Sequence, residues 1–118
     1  MADNGETDEL IIAIRWAFRE RHYVLRTHAF IEMRMDSLLA EDVRRAGMDC
    51  ELLEDYPDRP QGHTVLLLGL VGPERAIHLV VGCAAFEKDW SEPLVVVTVY
   101  RPEPPAWADE RTRGRKSR

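Results

Sequence analysis

Apolar residues recur along this chain at two spacings, and the change from one to the other divides it. Leu10, Ile11, Ile14, Ala17 and Phe18 stand three and four apart, the spacing of one buried helix face. They predict a helix over 8–20, with Thr7 or Asp8 as N-cap and Asp8 and Glu9 beside the positive end of its dipole. Ile12 and Trp16 fall outside the stripe, which gives this helix a second apolar side. Tyr23–Arg26 predicts a short strand, and Thr27 is a suitable N-cap for a helix through His28–Met35. Asp36 or Ser37 restarts or continues that helix, with Leu38, Leu39 and Val43 as its apolar set and Gly47 as a left-handed stop.

Beyond Cys50 the period changes. An extended segment from Cys50 to Tyr56 is ended by Pro57, and Asp58–Gly62 reads as a turn. Strands are expected at about 63–70, 75–83 and 94–100, the first two joined as an antiparallel hairpin through Val71-Gly72-Pro73-Glu74. All three carry Val and Leu on both parities, which predicts central strands covered on both faces. The second cover is the first helix, the Phe86–Trp90 loop or another subunit. The element order predicts an α+β fold, a small and mainly antiparallel sheet with helices packed on one face. Residues 1–7 read as disordered, 8–102 as a single α+β domain, and 103–118 as a Pro-rich and then basic disordered tail.

Composition narrows the function classes. No apolar run approaches the roughly 20 residues of a membrane-spanning helix. The acidic start lacks the basic and apolar regions of a secretory signal, so the cytosol is the expected compartment. Cys50 and Cys83 have no CxxC spacing and read as reduced, buried thiols. The net charge of −5 conceals a contrast: Arg111, Arg113, Arg115, Lys116 and Arg118 lie in the last eight residues, and without them the chain carries 11 basic against 21 acidic residues. So acidic a body repels polyanions at long range. RNA is therefore a disfavoured partner, whereas a protein partner or self-association through helix 8–20 or the sheet face is not.

Candidate chemistry concentrates on strand parities. Thr98 and Tyr100 share one face of the last strand, with Val95, Val97 and Val99 on the other, and His78 stands with Ala76, Val80 and Gly82 on one parity of the middle strand. If those parities coincide, His78, Thr98 and Tyr100 form a polar cluster whose edge His28 can reach. An imidazole suits proton transfer near neutral pH, and a phenol suits donation or positioning. Each residue has an ordinary structural reading as well: a hydrogen-bonded strand histidine, strand-forming Thr and Tyr. His22 and His63 stand beside turns and are expected to face solvent. Arg34, Arg44 and Arg45 line either a phosphate site or a solvated helix face. HxxxH and HExxH spacings, a phosphate-cradling glycine loop and a serine nucleophile elbow are all lacking in the sequence. No metal or cofactor is expected.

The run Tyr23-Val24-Leu25-Arg26-Thr27-His28-Ala29-Phe30-Ile31-Glu32-Met33-Arg34 resembles the opening of a bacterial family, domain of unknown function 4258. The likeness continues through Glu41-Asp42-Val43, an acidic extended stretch from Glu51 to Asp55, a hairpin whose second strand carries His78, and Thr98-Val99-Tyr100-Arg101-Pro102, over about residues 23–102. That family is similar to the RelE/ParE and BrnT toxins and to the wider barnase–colicin–RelE group of metal-independent ribonucleases. The resemblance implies a RelE-like fold with helices on one sheet face and RNA on the other. It implies His28 and His78 as acid/base groups, Tyr100 positioning the 2′-hydroxyl or phosphate, Thr98 as a phosphate contact and Arg101 offsetting transition-state charge. Two functions therefore stand open: a non-catalytic protein-interaction module, and a toxin-type endoribonuclease, for which the resemblance implies an antitoxin partner.

Overall fold

A computed structural model describes residues 4–60, 62–72, 75–104, 107 and 109–114. The elements run α1 (Asn4–Arg19), β1 (Tyr23–Leu25), α2 (Thr27–Met35), α3 (Ala40–Met48), β2 (Glu51–Tyr56), β3 (Thr64–Leu70), β4 (Ala76–Gly82), α4 (Ala84–Glu87) and β5 (Leu94–Tyr100). The α+β class is as expected, with a five-stranded sheet in the order β1-β5-β4-β3-β2. Three pairings are antiparallel, and β1 lies parallel to the start of β5.

One sheet face meets the helices. Val65 and Leu67 of β3, Ile77, Leu79 and Val81 of β4, and Leu94, Val96 and Val99 of β5 are fully buried there. They join Ala29 and Met33 of α2, Val43 and Ala46 of α3, and Ile14, Ala17 and Phe18 of α1 in one apolar cluster. α3 crosses β3 so closely that a Cβ on Gly69 would stand 2.6 Å from that of Ala46. The Glu41-Asp42-Val43 step is explained locally. Asp42 accepts the backbone N–H of Leu39 at 2.8 Å, Glu41 pairs with Arg44, and Val43 enters the core.

Several expectations need correction. α1 begins at Asn4, a turn before the expected start, so Thr7 and Asp8 lie inside the helix; residues 1–3 are outside the described residues. Thr27 is the first residue of α2, and Arg26 occupies the N-cap. Gly47 is helical and stops nothing: a Cβ there would stand 2.2 Å from Phe18 Cγ, so its bareness lets α1 and α3 approach. Arg44 is no solvated residue; it donates to the carbonyls of Phe18 and Arg19 and closes the end of α1. His22 does not face solvent freely either, since Nε2 bonds the Trp90 carbonyl at 3.0 Å.

The tail departs furthest. Trp107 is 3% exposed and Arg113 bridges back to it in antiparallel fashion, so 107 and 109–113 lie folded against the sheet. Of the expected disordered tail, residues 105, 106, 108 and 115–118 are outside the described residues. This segment covers the second sheet face, where the sequence offered α1, the Phe86–Trp90 loop or another subunit; Phe86 itself has no described side chain.

Candidate functional site

The site lies on the sheet face turned away from the helices, and two irregularities build it. The register of β2 on β3 shifts between Leu52 and Glu54, leaving Leu53 as the extra residue of a bulge. Strict alternation would send Glu51 and Glu54 to opposite faces; the bulge brings both to the outer one. A second shift, between β4 and β5, inserts Val97. This corrects the expected parity: Val99 is inward, but Leu94 and Val96 are inward too, and Val95 opposes Gly82 on the outer face.

Two outer rows result. Glu51, Leu68, His78 and Tyr100 are register partners across β2, β3, β4 and β5, and Glu54, Leu66, Val80 and Thr98 form the next row. His78 is fully buried. Its Nε2 lies 2.7 Å from the Glu110 carbonyl and its Nδ1 lies 3.1 Å from the Tyr100 hydroxyl. A carbonyl only accepts, so Nε2 carries the proton and Nδ1 accepts from Tyr100. The Trp107 ring meets the imidazole edge-on, with centroids 4.4 Å apart and planes at 87°. Burial lowers the His78 pKa, the Glu110 hydrogen bond opposing it, and burial raises that of Tyr100.

The flank of this face is acidic and already neutralised. Arg111 donates to both carboxylate oxygens of Glu51 at 3.1 and 2.9 Å, and Arg113 to both of Glu54 at 2.9 and 2.7 Å. These bonds hold both glutamates below the usual carboxylate range. Asp109 shapes the turn by accepting the N–H groups of Arg111 and Thr112 at 2.8 Å each. A cavity of about 240 Å³ opens on one side of the segment, between Arg75, Arg101 and Trp107. Another of about 230 Å³ lies on the other side, between Tyr56, Arg59, Tyr100 and Arg113.

The expected residues are thus only partly together. His78 and Tyr100 touch, and Thr98 stands one row away on the same face. Arg101 follows β5 and is exposed at the rim, its N–H bonded to Asp36 at 3.1 Å. His28 is on the first turn of α2 with 63% of its side chain exposed, and its partner is Glu32 at 3.4 Å. Glu32 accepts the Val99 N–H in turn, so α2 closes the edge of β5 that β1 leaves open. His28 and His78 share neither cavity. Sequence reasoning missed Glu51, Glu54, Trp107, Arg111 and Arg113; the lone tryptophan beyond the prolines was the available signal.

A family model described as domain of unknown function (DUF4258) matches residues 25–101. The chain belongs to that family. Within the DUF4258 region lie β1 from its last residue, α2, α3 and the remaining four strands, hence His28, His78, Thr98, Tyr100 and Arg101. All of α1, and the segment that seals His78, lie outside it. No curated protein and no solved structure matches the chain. Among the described residues, no three His, Cys, Asp or Glu side chains are grouped to hold a metal ion, and no helix is long and apolar enough to cross a membrane.

Proposed function

We propose that this DUF4258 protein is a non-catalytic protein-interaction module on a RelE-like fold, acting in the cytosol with its two buried thiols reduced. One observation carries the reading: His78, the best-placed acid/base group, is fully buried with both ring nitrogens bonded. A general base must reach the proton that it removes, and here Trp107 and Glu110 occupy that approach. The second histidine is on another element. On the edge beside the site Glu51 and Glu54 are each held by an arginine through both oxygens, the contact by which a carboxylate takes a cationic protein segment. The outer side of α1 adds apolar surface of the kind interfaces use: Ile12 is 62% and Trp16 40% exposed, and with Ala13 and Trp90 they border a cavity of about 370 Å³.

The ribonuclease reading draws on the His78–Tyr100 contact, with Thr98 one row away and Arg101 at the rim. The test is incubation of the purified protein with a mixed RNA pool in EDTA, at micromolar concentration, beside an Arg111→Glu/Arg113→Glu variant whose cover is loosened. The RNA should remain intact in both. Cleavage that disappears in His78→Ala and Tyr100→Phe would overturn the module and establish a metal-independent endoribonuclease.

A further inference from the structure

The segment over His78 lies beyond the family match, which ends at Arg101. In the sequence only a few residues, three of them proline, separate it from β5. Its contacts have the form of a ligand in a site. Trp107 supplies an aromatic edge to the His78–Tyr100 slot, the Glu110 carbonyl accepts the hydrogen bond of the imidazole N–H, and Arg111 and Arg113 grip Glu51 and Glu54 in paired hydrogen bonds. Arg111 and Arg113 leave one bend, closed by Asp109 and by the Trp107–Arg113 bridge, and the bulge at Leu53 puts both glutamates on the face that they reach. The face therefore reads a side-chain pattern: one aromatic group followed by arginines at alternate positions.

The same contacts make the segment removable. The Arg111 and Arg113 side chains are 54% and 57% exposed, so their ion pairs are open to water and salt. The cavities on its two sides show that it does not fill the face. Leaving would uncover polar groups that water can satisfy, together with the slot that Trp107 fills.

We infer that residues 107 and 109–113 are a displaceable internal ligand, and that the face beneath them docks a partner protein segment of the same chemistry, an aromatic side chain followed by arginines. The inference rests on the interaction-module reading. It predicts competition with a calculable size. A short tether holds its ligand at roughly millimolar effective concentration. The tethered copy weakens binding of a free one by the ratio of that concentration to the intrinsic Kd, so any Kd below about 100 µM gives at least about 10-fold.

The test uses the full chain throughout. A fluorescein-labelled peptide of residues 102–114 is titrated into the wild type and into the Arg111→Glu/Arg113→Glu variant, followed by anisotropy. The variant should bind it at least 10-fold more tightly than the wild type. Binding should weaken as salt rises, and the peptide with Trp107→Ala should not bind. Absence of binding to a variant that circular dichroism shows to be folded would overturn the docking site. Equal affinity for variant and wild type would overturn the competition. Neither result involves RNA cleavage, so failure here is separable from failure of the module reading: peptide binding can be absent while RNA stays intact.

Discussion

Replacing Gly47 by alanine sets two ordinary rules against each other, and the distances decide between them. In the last turn of α3, alanine is favoured over glycine by up to about 1 kcal/mol through helix propensity alone. The new Cβ, however, would stand 2.2, 2.3 and 2.5 Å from Cγ, Cδ2 and Cδ1 of Phe18. Carbon atoms in good contact are about 3.5 Å apart, so the ring must retreat by about 1.3 Å. It has nowhere to go, being fully buried with the Tyr23 ring 4.8 Å away. Overpacking of this kind costs about 1–3 kcal/mol, and outright loss of a core phenylalanine about 3–5 kcal/mol. The trapped ring puts the cost in the upper of these ranges, and with the propensity gain subtracted Gly47→Ala should destabilise the protein by about 2–4 kcal/mol. At about 4 °C per kcal/mol for a chain of this size, Tm should fall by roughly 8–16 °C in a thermal melt followed by circular dichroism. Phe18→Leu should relieve the clash, so the double variant should lose less than the two single losses together. A Gly47→Ala protein that melts at or above the wild-type temperature would refute the close α1–α3 contact, and with it the account of how α1 is held to the family domain.

Two further outcomes concern titrating groups. Burial keeps His78 below its ordinary 6.5, so on acidification the unfolded chain takes up a proton that the folded chain refuses. Stability should fall as pH drops below about 6.5 and level off beneath the depressed folded value. Urea unfolding at intervals between pH 7.5 and 5 would show this, and an unchanged slope in His78→Gln would refute it. Glu51 and Glu54, lowered by their arginines, should add a separate loss that starts only below about 4.5. Burial also pushes the Cys50 thiol up to about 12, and Cys83 is fully enclosed. A thiol reagent at pH 8 should therefore label neither cysteine in the native protein and both in denaturant, whereas rapid native labelling would show that the core opens.

The elements themselves were legible because they rest on local periodicity. The 10/14/17/18 stripe of α1 and the three Val- and Leu-rich strands declare their buried faces without reference to anything distant. The pairing of His78 with Tyr100 followed from parity in the same way. Parity fails where a bulge adds a residue, and both bulges fall at this site. An inserted Val97 left Thr98 and Tyr100 where alternation put them but moved Val95 to their side of the sheet. An inserted Leu53 united two glutamates that alternation keeps apart. A bulge has no period of its own, so the residues that make this face acidic could not be assigned to it from spacing.

The tail was misread for a related reason. Taken by itself, 103–118 holds a cluster of like charges and a single tryptophan, a composition that cannot bury enough surface to order itself. The groups that change that balance are remote: Glu51 is 60 residues from Arg111, and Glu54 is 59 from Arg113. Once β2 carries both carboxylates on one face, the arginines stop repelling one another and become the means of attachment, while the His78–Tyr100 slot gives Trp107 a place to bury its ring. The acidic body and the basic tail are therefore two halves of one contact. The net charge of −5 describes neither half, and with the tail displaced the exposed sheet edge would be considerably more acidic. This is why the partner argued for above is cationic, and why raising the salt should loosen the tail and its competitor alike.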